Sequence, residues 1–185
     1  SSGRMGYALA AACVAAGATV TLISGPTALT VPAQVDCVDV ASAADMHAAV
    51  MAAMPAADVF IGAAAVADYR PATTAVDKIK KSEGDTSLAL TRTRDIIADV
   101  ARDHPQVFTL GFAAETTDMQ ASTRAKRERK GLNMIAGNVV GPEHAFGRDD
   151  NALFVVWDGG EQALAQASKR ALADQLVALV AERLV

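Results

Sequence analysis

A chain of 185 residues with 51% hydrophobic residues, 21% charged residues and a net charge of −4 is neither disordered nor a broad binder of nucleic acid. Disorder needs less apolar content, and nucleic acid calls for a basic surface. The length fits one domain, 1–185. Alanine fills 41 positions and only eight residues are aromatic, so tight helix-on-sheet packing and self-association are expected.

Arg4 to Ala16 is Ala-rich and reads as a helix after Ser1-Ser2-Gly3. The uncharged run Tyr7 to Ile23, with Ala16-Gly17-Ala18, resembles a secretory signal. Gly17 instead suits a helix end, and the residues after it alternate as a strand, Thr19–Ser24, closed by Gly25-Pro26. No run is long enough to span a bilayer. Val35–Val40 reads as a second strand. Ser42-x-x-Asp45 is close to a capping box, and the helix after it stops at Pro55. Asp58 to Ala64 is a continuous apolar run, as in a strand buried on both faces.

Val66 to Asp85 is a long irregular stretch with Pro71, Lys78-Ile79-Lys80-Lys81 and Gly84. Loops this long are functional or disordered. Leu88–Thr93 reads as a strand, Asp95–Arg102 as a short helix and Val107–Ala113 as a buried strand. Met119–Lys130 is a basic helix ending at Gly131, followed by strand Met134–Val139. Ala152–Trp157, Asp158-Gly159-Gly160 and Glu161–Ala165 form a hairpin pattern. The last helix carries Leu172, Leu176, Leu179, Val180 and Leu184 on one face. This alternation predicts an α/β, Rossmann-like, mostly parallel sheet covered by helices on both faces, with the antiparallel β-hairpin at one edge. A glycine loop opening a helix ordinarily follows a strand, and no such strand precedes Ser1 in this sequence.

Ser1-Ser2-Gly3-Arg4-Met5-Gly6 enters the first helix, whose exposed amides and dipole suit a phosphate; a packing role for the glycines fits equally. A dinucleotide site is opposed by the residues. Gly-x-Gly-x-x-Gly is missing, and Ser24-Gly25-Pro26 stands where a ribose-binding carboxylate belongs. Gly62-Ala63-Ala64-Ala65-Val66-Ala67-Asp68-Tyr69 lies at a strand's carboxyl end, where α/β sheets bind ligands. The small residues serve packing or a close-lying base or phosphate, and Asp68 favours a ligand. Lys78, Lys80 and Lys81 are either a solvated cluster or an arm that closes over a polyphosphate. Lys126 and Lys130 share a helix face. With Arg124, Arg127 and Arg129 they make either a solvated helix or an anion site.

Phe112 packs in the core or against a base. Phe146 to Asn151 is a turn-rich loop able to shape a site. His47, His104 and His144 are scattered without metal-site spacing, no metal ligands are identified, and no nucleophilic triad is readable. Cys13 and Cys37 lack metal or disulfide spacing and read as buried thiols of a reducing cytosol.

Ser-Ser-Gly-Arg-Met-Gly, Gly-Ala-Ala-Ala-Val-Ala-Asp-Tyr-Arg-Pro, Lys-Ile-Lys-Lys, Gly-Phe-Ala-Ala-Glu-Thr and Asp-Asn-Ala-Leu occur in this order along nearly the whole chain. Together they closely resemble the bacterial phosphopantothenate–cysteine ligase family, the synthetase domain of the bifunctional flavoprotein of coenzyme A synthesis. The resemblance implies a cytoplasmic homodimer acting on 4′-phosphopantothenate, L-cysteine and CTP with Mg²⁺. It implies an acyl-cytidylate, with FMN confined to the decarboxylase domain that precedes the ligase in the family. It further implies CTP contacts at Gly62, Ala63, Ala64, Asp68, Lys78, Phe112, Lys126 and Lys130. A weaker transfer adds Arg94, Asp95, Ile96 and Ile97. Lys78 is the implied catalytic residue, and Ser1, Ser2, Gly3, Met5 and Gly6 the implied phosphate loop.

The family's Asn-His before Ser-Ser-Gly, its first strand and its decarboxylase domain are not in this sequence. A literal fragment is therefore expected to bind CTP but to convert the acyl-cytidylate poorly; a longer protein that includes them is expected to be active. Two other functions stay open: a nicotinamide, NAD(P)-binding Rossmann-type oxidoreductase, and a non-catalytic nucleotide-binding module. Neither nucleic acid nor membrane is an expected partner.

Overall fold

A computed structural model of the chain describes residues 2–81, 84–115, 118–139 and 150–184. Helix α1 (Arg4–Ala15) ends where Gly17 takes a positive φ of 88°. There the Ala18 amide reaches back to the Cys13 carbonyl at 3.0 Å and that of Gly17 to Val14 at 2.9 Å. That double bond satisfies orphan carbonyls and needs a left-handed residue, which is why glycine stands there. Strands β1 (Val20–Ser24) and β2 (Val35–Asp39) pair in parallel. Helix α2 (Ala43–Ala53) starts from the expected capping box between Ser42 and Asp45, and Pro55 falls in a following 3₁₀ turn (Met54–Ala56).

Strand β3 (Val59–Gly62) is shorter than the apolar run suggested, and it is half-buried rather than fully buried because it is an edge strand. The long irregular stretch contains a strand, β4 (Tyr69–Pro71), paired antiparallel with β5 (Leu90–Arg92). After them come α3 (Ile96–Asp103), β6 (Phe108–Glu115), α4 (Met119–Lys130) and β7 (Met134–Val139). The hairpin is β8 (Asp150–Trp157) and β9 (Gly160–Ser168), turned at Asp158-Gly159, with Gly159 at φ 78°. Helix α5 (Lys169–Ala181) closes the order.

The main sheet runs β3-β6-β7-β8-β9. Its first three strands are parallel, and β8 and β9 are antiparallel at one edge, as expected. The parallel pair β1-β2 forms a sheet of its own, so the described strands do not make one continuous ladder.

Side chains alternate across the main sheet. Ile61, Leu110, Met134, Ala136, Leu153 and Val155 face α1 and α5, packing with Leu9, Leu172 and Leu176. Ala113, Ile135, Phe154 and Val156 face α3 and α4, packing with Leu132, Ile97 and Met119. A third cluster joins α2 to α3 through Val50, Met54, Ile96, Val100 and Val107. The apolar face expected of α5 holds for Leu172, Leu176, Leu179 and Val180. Leu184 lies beyond the helix and is exposed, because the regular turn stops at Ala181.

Cys13 and Cys37 are free thiols but only partly buried. Burial pushes both up, and the neighbouring Asp39 carboxylate adds to the rise at Cys37. No helix among the described residues is long and apolar enough to cross a membrane.

Candidate functional site

Two faces of the sheet meet at the carboxyl ends of β3 and β6. On the α1 side, Gly3 takes φ 73° and caps α1 with its backbone alone, since no side chain bonds the first amides. A Cβ on Gly3 would sit 3.4 Å from Leu29 and 3.7 Å from Thr27, so the turn is packed on the segment after β1. A Cβ on Gly6 would lie 3.8 Å from that of Ala63. The open first turn of α1 therefore abuts the end of β3. Met5, Ala63 and Phe112 each pack against the core cluster of this face, with Phe112 half-buried. The Met5 side chain is thus an anchor, and the helix offers backbone amides to an anion. Ser2 is exposed; Ser1 lies outside the described residues.

On the other face, a Cβ on Gly62 would come 3.1 Å from Ile97 Cδ1, and one on Gly111 would come 3.0 Å from the same atom. These glycines seat the first turn of α3 directly on the strands. The small residue at Gly62 is explained by that packing; its backbone remains exposed in part. Asp95 caps α3 by accepting from the Ala98 amide at 3.3 Å. Ile96 is buried in the α2–α3 cluster, so its side chain is core and only its backbone could meet a ligand.

The basic helix is largely paired within the fold. Lys126 Nζ lies 2.9 Å from Glu115 Oε1, and Lys130 Nζ 2.8 Å from Asp95 Oδ2. Arg124 pairs with Glu161 at 2.7 Å and covers the Phe154 ring, while Arg127 donates to the Asn133 carbonyl. The sequence left either a solvated helix or an anion site open. In the fold, each of the two lysines has a carboxylate that an arriving anion must replace. Of these partners, Glu115 carried no role in the sequence reading. Its place in the motif Gly-Phe-Ala-Ala-Glu-Thr pointed to it, and β6 runs past the expected end at Ala113 to include it.

The structure leaves Asp68 and Lys78 apart from this cluster. Both are exposed, and among the described residues neither side chain makes an ion pair. The Asp68 carbonyl accepts from the Thr93 amide at 2.9 Å, which closes the base of the β4–β5 arm. Arg94 is bound to Asp99, Nε to Oδ2 at 2.9 Å, in a cluster with His47 and Arg102 that the sequence did not reveal. Of the turn-rich loop expected over Phe146 to Asn151, residues 146–149 lie outside the described residues, as does His144, whereas Asp150 and Asn151 are not loop but open β8, paired with Ser168 and Ala167. No group of three or more metal-ligating side chains occurs among the described residues. The single free carboxylate of Asp68 suits an ion carried in by phosphates, since Mg²⁺ is held by one or two carboxylates with substrate oxygens.

An α/β layer fold with a helix amino terminus and small residues at the carboxyl edge of its sheet defines a Rossmann-like protein. Residues 1–184 match the DNA/pantothenate metabolism flavoprotein C-terminal domain, and the chain belongs to that family. It is 45% identical over 181 residues to the coenzyme A biosynthesis bifunctional protein CoaBC of Vibrio vulnificus, covering 96% of this chain and 45% of the relative. The chain thus spans a little under half of that relative's length. The crystal structure of the C-terminal domain of a CoaBC protein superposes with a TM-score of 0.84 at 36% identity, covering all of this chain and 84% of that one. A Cab2 mutant solved with phosphopantothenate-cysteine shares the fold, with a TM-score of 0.79 at 14% identity over 100% of this chain and 78% of that one.

Proposed function

We propose that residues 1–185 act as one CTP-dependent ligase domain joining 4′-phosphopantothenate to L-cysteine in coenzyme A biosynthesis. The observation that carries this reading is the open first turn of α1 against Ala63, beside Phe112, in a chain nearly half identical to CoaBC over its length. In the first step a carboxylate oxygen of phosphopantothenate attacks the α-phosphorus of CTP and pyrophosphate leaves. In the second, the cysteine amine attacks the acyl carbon, CMP leaves and the amine proton passes to solvent.

The chain's own groups supply position and charge. Amides of Met5 and Gly6 with Ser2-Gly3 take phosphate oxygens, and the backbone of Gly62, Ala63 and Ala64 holds the nucleotide. Arg94, Asp95, Ile96 and Ile97 border it through backbone and the Arg94 head, and Phe112 packs against the base. Lys126 and Lys130 leave their carboxylates for the triphosphate. Lys78 comes in with the exposed arm and neutralises charge developing on the leaving pyrophosphate. Asp68 and the phosphates would hold Mg²⁺, which polarises the α-phosphoryl group. FMN belongs to the flavoprotein part of the longer relatives. A homodimer and a cytoplasmic setting complete the reading; exposed Tyr69, Leu88 and Leu90 on the β4–β5 arm support self-association.

A nicotinamide enzyme is disfavoured because Ser24 ends β1. It is buried and hydrogen-bonded to the Tyr7 hydroxyl at 3.0 Å, where a ribose-binding carboxylate would be needed. The test is pyrophosphate release from phosphopantothenate and CTP, with ATP and NADPH as competing ligands in calorimetry. Lys78→Gln should lower release about 10²–10³-fold without unfolding, the size of one lost charge-stabilising donor. Unchanged turnover refutes the role of Lys78, and no CTP binding by the wild type refutes the function.

A further inference from the structure

Among the described residues Asp99 is the one buried charged residue, and three cationic or polar heads converge on it from separate places in the chain. His47 Nε2 of α2 lies 3.0 Å from Oδ2. Arg94 Nε, just before α3, lies 2.9 Å from the same oxygen, and Arg102 of α3 lies 2.8 Å from Oδ1. Asp99 itself sits one turn into α3 and is 7% exposed. A buried carboxylate is costly unless fully partnered, and here the partners tie α2, the approach to α3 and α3 itself to one point.

That point lies one turn from Asp95, Ile96 and Ile97. Ile97 in turn rests on Gly62 and Gly111, where there is no room for a Cβ without displacement. The position of the first turn of α3 therefore fixes how the glycine-lined end of β3 is bordered. The sole hydrogen bond described for Arg94 uses Nε, so both terminal nitrogens of its guanidinium are left for another acceptor.

We propose that Asp99 is a positioning residue for nucleotide binding, acting through Arg94 and the first turn of α3 rather than by touching substrate. This rests on the ligase reading above. Neutralising Asp99 leaves Arg94 and Arg102 without their shared counter-charge. Arg94 swings free, the α2 tie loosens, and the wall beside Gly62 loses its fixed place. In the ligase reading that wall borders the nucleotide, so the defect is expected in the KM for CTP.

The experiment is steady-state kinetics with the intact protein as expressed, comparing wild type, Asp99→Asn, Asp99→Glu and His47→Leu, with thermal melts of each. In Asp99→Asn the KM for CTP should rise about tenfold, while kcat and the KM values for phosphopantothenate and cysteine stay within about twofold. A residue that only stabilised the fold would lower kcat through the active fraction and leave every KM alone. Asp99→Glu, which keeps the charge, should recover most of the loss. His47→Leu should raise the CTP KM about threefold and serves if Asp99→Asn does not fold. Wild-type-like KM for CTP in the variants that fold, or a uniform fall in kcat alone, overturns the proposal while leaving the ligase reading standing. If the wild type binds no CTP, both fall.

Discussion

Replacing Gly137 by alanine aims a methyl group at Thr123. Gly137 lies within β7, paired with Ala113 on one side and Phe154 on the other, so its backbone cannot retreat without breaking two ladders. A Cβ built there overlaps the Thr123 hydroxyl and comes 3.1 Å from both Thr123 Cβ and Cγ2. Thr123 is fully buried, and its hydroxyl donates to the Met119 carbonyl at 2.6 Å. A β-branched side chain has no flexible end to move aside. Either the hydroxyl rotates away and loses its acceptor, or α4 lifts off the sheet. Overpacking costs about 1–3 kcal/mol, and a buried hydroxyl left unsatisfied costs about 1–3 kcal/mol. Since one route or a mixture of both is taken, about 3 kcal/mol is expected, or roughly 6–12 °C in Tm for a chain of this size. If α4 lifts, the Lys126–Glu115 and Lys130–Asp95 pairs part as well. The assay is a thermal or urea melt of Gly137→Ala, Thr123→Ala and the double variant. The double variant should be destabilised by far less than the two single costs added together, because Thr123→Ala deletes the hydroxyl and the methyl that the new Cβ meets. A Gly137→Ala protein melting within about 2 °C of wild type would refute the reasoning.

Three further outcomes are expected. Gly160→Ala drives a methyl into the Trp157 ring, 2.7 Å from its Nε1, on an indole already covered by Arg183 at 3.8 Å. The chain's single tryptophan should change its fluorescence as stability drops by about 1–3 kcal/mol, and an unchanged spectrum counts against this packing. Ser42→Ala removes the hydroxyl that accepts from the Asp45 amide at 3.1 Å, while the backbone amide of residue 42 can still donate to the Asp45 carboxylate, and should cost about 1 kcal/mol in a urea melt; a change under a few tenths contradicts it. At Asp99, burial pushes the carboxyl up, but hydrogen bonds from Arg102 and His47 and the charges of Arg94 and Arg102 hold it below its usual range. A lowered folded value means the stabilisation is complete above the ordinary carboxylate range, near ~4, and is lost as pH falls through the folded value. The stability gap between wild type and Asp99→Asn should therefore be flat at neutral pH and close in acid, and a gap that widens in acid would sink this account.

Local rules were enough to read most of the elements. The Ala-rich helix ending before Gly17, the capping box at Ser42, the α4 limits Met119–Lys130 and the hairpin at Asp158-Gly159 each depend on residues within a few positions. Those residues act through their own φ preferences, caps or charge, so chain order alone reveals them. The ordered motifs likewise pointed to the family before any coordinates. What the chain order could not carry was pairing across distance. β3 reads as a buried strand, yet burial depends on neighbours, and among the described strands it pairs only with β6. Lys126 and Lys130 read as one basic face, solvated or anion-binding, whereas Glu115 and Asp95 reach them only because α3 and α4 lie side by side on β6. His47 and Asp99 are 52 residues apart and look unremarkable alone. Their contact exists because α2 and α3 pack on one apolar cluster, and a Coulomb or hydrogen-bond partner is set by distance in space, which only the folded chain defines.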